Sequence, residues 1–212
     1  MRGMTQSRVR RLIAATVTAA ALTVSGCAVP GQEADPGVAA QYDARTLTNA
    51  QVNDVYQAWV VDTEGAEVPT QRRSIITIEL MAPQLVVAAE EAGYPISDDQ
   101  ALTYAIQWIR FAGIEEGEPS QQLVETVRAI FALAVLAVVE PELETLRQIA
   151  QDVEDNAVFS PRSGEFSTET FLTSVTSALD YAASQNLGPF FFTAFVNVNG
   201  LVEPASPWID RG

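Results

Sequence analysis

Apolar residues recur along most of this chain at the three- and four-residue intervals of an α-helix. The first clear run puts Val52, Val55, Tyr56, Trp59 and Val60 on one face. Thr48-Asn49-Ala50-Gln51 precedes it with the spacing of a capping box, in which Thr48 and Gln51 each satisfy a backbone donor at the helix start. A second helix is predicted from about Thr70 to Ala92, with Ile75, Ile78, Leu85 and Ala89 in one stripe and Ile76 and Leu80 widening it. Pro83 lies inside it and removes one backbone donor, so a kink is expected there, and Gly93 ends the run. Ser97-Asp98-Asp99-Gln100 is another capping box. The helix after it carries Leu102, Ala105, Ile106 and Ile109 on one face and Tyr104, Trp108 and Phe111 on a second.

Ser120 caps a fourth helix whose second half, Ala129 to Val139, is eleven apolar residues without a break. A helix apolar on every side must be enclosed, and this run is too short to span a bilayer, so it is read as the central core helix. Pro141 suits the first turn of a fifth helix bearing Leu143, Leu146, Ile149, Ala150 and Val153. Ser167 opens a sixth, with Phe171 or Leu172, Val175, Leu179 and Ala182 facing inward. Extended structure is expected at Val38 to Leu47 and around Val158 to Gly164. Phe190 to Val202 is read as a strand with a tight turn at Asn199-Gly200. The expected fold is mainly α: one domain of about six helices, with a small sheet or hairpin made from its two ends.

The amino-terminal stretch follows a different pattern. Arg2, Arg8, Arg10 and Arg11 precede an apolar run from Leu12 to Val24, and Val24-Ser25-Gly26-Cys27 closes it. A charged flank, a short apolar segment and small residues before the cut are the parts of a secretory signal peptide. Cys27 is the only cysteine of the chain, and its setting resembles the lipobox of bacterial lipoproteins, with Val24, Ser25 and Gly26 before the acylated residue. That reading makes 1–26 a signal peptide and 27–37 the lipidated Cys27 with a flexible tether. Domain 38–212 follows. A tether of this length reaches roughly 15–20 Å. The expected address is the cell membrane, lipid-anchored on its extracytoplasmic face.

Charge then narrows the function classes. The whole chain has a formal charge of −15, and loss of the four leader arginines takes it to −19. Such a surface repels nucleic-acid phosphates and anionic headgroups, so neither is expected as a direct partner. Lysine and histidine are both absent. Their absence removes the commonest general base and the usual zinc ligand, and with the thiol acylated no Ser-His, Cys-His or Ser-Lys pair is possible. Glu115-Glu116-Gly117-Glu118 could bind calcium weakly but is read as a solvated loop, and Asp152 to Asn156, which lacks the spacing of a calcium loop, as an acidic helix end. No metal, cofactor or catalytic activity is expected.

Several of these features together resemble a known family. A short strand runs straight into a capped helix. A long helix with arginines at its start meets an acidic-capped one across Gly93-Tyr94-Pro95-Ile96-Ser97. Ser160-Pro161-Arg162-Ser163-Gly164 shares Pro, Arg and Gly with an Asn-Pro-Arg-Tyr-Gly-like family segment. In these respects the chain is similar to actinobacterial lipoproteins with a SurA N-terminal-like domain, of the trigger factor/SurA peptide-binding superfamily. The likeness covers about 38–164 and leaves 166–195 as an insertion. It implies a chaperone-like domain that holds unfolded or extracytoplasmic polypeptide clients, here without an isomerase domain. The alternative is an envelope scaffold lipoprotein that binds one dedicated partner. Tyr104, Trp108 and Phe111 are the candidate peptide-binding residues, either lining an open groove or sealed in the core by the sixth helix or the Phe190-Phe191-Phe192 strand, the commoner use of aromatics. Arg162 is expected to pair with nearby carboxylates and fix its turn.

Overall fold

The computed structural model describes residues 37–66 and 72–202. The lipobox Val24 to Cys27 and most of the tether lie outside these residues. The fold is mainly α, as the periodicity predicts. Its helices are α1 (Asn49–Asp62), α2 (Arg72–Glu91), α3 (Asp98–Phe111), α4 (Gln121–Val139), α5 (Glu144–Asn156) and α6 (Thr168–Ser184), followed by a 3-10 helix over Gly188–Asn197. Five short strands complete it: β1 (Val38–Tyr42), β2 (Arg45–Thr48), β3 (Val158–Phe159), β4 (Glu165–Phe166) and β5 (Leu201–Val202).

The helix starts follow from local chemistry. Thr48 and Gln51 form the reciprocal box at α1, and Ser97 and Gln100 repeat it at α3. Ser120 accepts from the Leu123 amide and Ser167 from the Thr170 amide, capping α4 and α6. The Asp62 carboxylate at the end of α1 takes the Ser120 amide at 2.8 Å and its hydroxyl at 2.6 Å, tying α1 to the positive end of α4. At α5 the expectation fails. Pro141 stays outside the helix, which begins only at Glu144 after Leu143 in the left-handed conformation (φ 54°). Glu140 explains the delay, because its carboxylate reaches forward to the Thr145 amide at 3.0 Å and its hydroxyl at 2.8 Å and so caps the later turn.

Helix α4 is the core helix. By length and composition alone it is apolar enough to cross a membrane, yet it is buried from Ala132 to Ala137 without a gap and packs most extensively on α2. Helix α2 runs through Pro83 as one continuous element. One cluster of buried side chains links all six helices, and Phe171, Val175, Phe192 and Phe195 belong to it. Residues 166–195 are therefore part of the same core as the rest of the domain.

The extended segments depart from expectation in several ways. Val38 to Leu47 is a hairpin, β1 turning back into β2 where Asp43 takes a positive φ of 52°. The second partner of β1 is β3, from just after α5, so the order is β2-β1-β3 and, among the described residues, β1 and β5 lie in different sheets. Strand β5 pairs with β4 in a separate antiparallel pair. Finally, Phe190 to Asn197 is a 3-10 helix, not a strand. Gly188-Pro189 starts a turn, and packing rings of this segment against α3 and α4 outweighs their preference for extended backbone. Asn199 does not make a hairpin turn; its side chain clasps the Leu201 amide at 2.9 Å and the Leu201 carbonyl at 3.0 Å.

Candidate functional site

The aromatic stripe of α3 is a seam inside the molecule. Trp108 is fully buried, edge-on to Trp59 with ring centroids 4.9 Å apart and 5.5 Å from Phe192. Tyr104 stacks on Phe131 of α4 at 3.8 Å and leans on Phe192 at 5.6 Å. Burial pushes the Tyr104 phenol pKa up. Phe111, at the end of α3, is 42% exposed and meets Phe190 at 5.8 Å. The 3-10 helix lies over the stripe and Phe131 closes it from α4. Of the three candidate peptide-binding residues, only Phe111 presents a substantial surface to solvent.

Two shallow clefts open on the surface of the described residues. One, of about 670 Å³, lies between α5 and α6 and is lined by hydroxyl groups with Arg147, Glu154 and Glu169. Most of its polar groups are already engaged: Thr176 and Ser177 donate back to their own helix, and Glu154 accepts from the Thr168 amide.

The other cleft has a sharper chemistry. It measures about 860 Å³ and is lined by Gly37, Asn49, Arg72, Arg73, Ile76, Arg162 and Ser163. Four pieces of chain build it. Gly37 leads into β1, and its carbonyl accepts from the Asn49 amide at 2.8 Å. Arg72 and Arg73 are the first turn of α2, with Arg72 donating to the Asn49 carbonyl at 3.2 Å. Arg162 arrives on the turn after β3. That turn is fixed by serines: the Ser160 amide and the Ser163 hydroxyl both donate to the Ala39 carbonyl, at 3.0 and 2.9 Å. The expected carboxylate partner of Arg162 is not found among the described residues; the serines hold the turn and leave the guanidinium at the cleft.

Among the described residues no acidic side chain lines this cleft, in a chain with 27 acidic residues against 12 arginines. Helix α2 also carries its charges backwards. Arg72 and Arg73 stand at its positive end and Glu90 and Glu91 at its negative end, whereas α3 starts with Asp98-Asp99 and ends with Arg110. Each misplaced charge costs about 0.3–1 kcal/mol at an exposed terminus. Sequence spacing offers no sign of this cluster, because Arg162 is separated from Arg72 and Arg73 by three helices. The one legible signal is the Arg-Arg pair at a helix start.

Elsewhere, Tyr42 is buried and hydrogen-bonded to Asp152 of α5, fastening the sheet to the bundle. Burial, with the Asp152 carboxylate, drives its phenol pKa far above the ordinary value. Glu79 lies between α2 and α4 and accepts from the Thr126 hydroxyl at 2.6 Å. Burial raises its pKa, partly offset by that hydrogen bond and by Arg45. Among the described residues no group of three His, Cys, Asp or Glu side chains is placed to hold a metal ion. Comparison with family models, curated proteins and solved structures finds no match to this chain.

Proposed function

We propose that this chain is a cell-envelope lipoprotein, anchored through acylated Cys27 on the extracytoplasmic face of the membrane, whose helical domain works by binding one dedicated partner without catalysis. The observation that carries this choice is the closed aromatic seam. A general holder of unfolded clients needs a broad apolar cradle, and the α3 aromatics nearest to forming one are packed against Phe131, Phe190 and Phe192. The exposed apolar side chains, such as Val61, Val87 and Tyr181, sit on different helices. Without histidine, lysine or a second thiol, chemistry would fall to carboxylates and hydroxyls, and neither cleft presents a facing pair of carboxylates free of arginine.

Two measurements test this reading. Light scattering with an unfolding client should show no suppression of aggregation at equimolar chain. Photo-crosslinking in native membranes should return one protein. Stoichiometric suppression together with many crosslinked species would replace this reading with the chaperone-like one.

A further inference from the structure

We propose that Asn199-Gly200 is a latent deamidation site, held shut by the folded domain and opened only when the β4–β5 closure comes apart. Asparagine is chemically labile, and a following glycine, having no Cβ, leaves its amide nitrogen unshielded. This is the single Asn-Gly pair of the chain. In the reaction the Gly200 amide nitrogen attacks Cγ of Asn199. An N–C bond forms, the Cγ–Nδ2 bond breaks, and ammonia leaves with the proton of the Gly200 amide. Water then opens the cyclic imide at either carbonyl to give aspartate or isoaspartate, and nothing is oxidised or reduced.

The fold blocks each requirement of that step. Gly200 is buried, and its amide hydrogen is donated to the Thr77 hydroxyl of α2 at 3.1 Å. Thr77 is fully buried too, so a base from solvent does not reach the proton. The Asn199 side chain is clasped at both ends, Oδ1 accepting from the Leu201 amide at 2.9 Å and Nδ2 donating to the Leu201 carbonyl at 3.0 Å. The backbone is pinned as well: the Asn199 amide donates to the Ser174 hydroxyl at 3.1 Å, and the Gly200 carbonyl accepts from the Ser167 amide at 2.8 Å. Nitrogen and carbon can meet only if these bonds break together. Strand β5 is two residues long, so that opening is a local event short of global unfolding.

Conversion runs one way. In the product a carboxylate oxygen replaces Nδ2 and repels the Leu201 carbonyl that Nδ2 had served. Isoaspartate also adds a methylene to the backbone beside a glycine with no spare room, since a Cβ on Gly200 would stand 2.2 Å from the Phe166 ring. A domain that stays open long enough to react therefore cannot close as before, and it keeps a covalent record of the opening.

The test is peptide mass mapping, with isoaspartyl methyltransferase labelling, of the full chain aged at neutral pH in non-ionic detergent, with and without guanidinium. Conversion at Asn199 should run roughly a hundredfold slower in the folded chain than in the denatured one. Thr77→Val removes the acceptor of the Gly200 amide, so it should raise the folded-state rate roughly tenfold and leave the denatured rate alone. Thr126→Val removes a different hydroxyl bond between α2 and α4 and should leave both rates unchanged. Circular dichroism confirms that each variant is folded. Equal rates in folded and denatured chains, no conversion in the denatured chain, or equal acceleration by Thr126→Val would each overturn the proposal. Returned to native buffer, converted chains should lack hydrogen-exchange protection at the Ser167 amide, and full protection there would overturn the one-way step.

Discussion

At the scale of single residues, Trp108 and Phe111 separate packing from exposure. They are three positions apart on one helix, yet one is enclosed and the other is 42% exposed. Trp108→Ala should cost about 3–5 kcal/mol in urea denaturation, the ordinary loss for emptying a large aromatic site. Phe111→Ala should cost less than about 1 kcal/mol. Glu79 sets a pH dependence of definite sign. Because its folded pKa is raised, the folded state keeps a proton that the unfolded chain releases above the ordinary value of 4.5. Stability from this group therefore falls as pH rises from there through the folded value. Glu79→Gln keeps an acceptor for Thr126 without the buried charge, so it should melt above wild type at pH 8 and level with it at pH 4, read by thermal denaturation. The burial of Glu79 and the arginine cluster were not visible in the pattern of residues. A mid-helix glutamate looks solvated until a neighbouring helix is placed over it, and three arginines become a cluster only through the topology.

At the scale of elements, the reversed charges of α2 are open to direct measurement. Glu91 is exposed at the helix end, and Glu91→Arg should raise stability by about 0.3–1 kcal/mol, an increment that shrinks at high salt. Thermal melts at two ionic strengths check it. Helix starts were legible in the sequence because a cap is a contract within four residues: Thr48 with Gln51, Ser97 with Gln100, and the lone serines Ser120 and Ser167. The start of α5 was not, because Glu140 caps it from outside the usual window. Phe190 to Asn197 departs from the expected strand for a different reason. Its phenylalanines favour extended backbone locally, and only the seam beside α3 and α4 makes a tight helix the better solution.

At the scale of the whole molecule, two predictions bear on anchorage and closure. Cys27→Ala should abolish incorporation of labelled palmitate and of the acyl mass found by mass spectrometry. Gly200 closes the domain, donating to the Thr77 hydroxyl of α2 at 3.1 Å and accepting from the Ser167 amide at 2.8 Å. A Cβ there would stand 2.2 Å from the Phe166 ring, which is itself buried. Gly200→Ala should lose about 1–3 kcal/mol, measured by chemical denaturation. The position of β1 has a consequence for biogenesis. Its second partner, β3, is synthesised about 120 residues later, so the opening strand has one edge unmatched through most of translation. The same long-range stitch thus leaves the sheet incomplete until three-quarters of the polypeptide has been made.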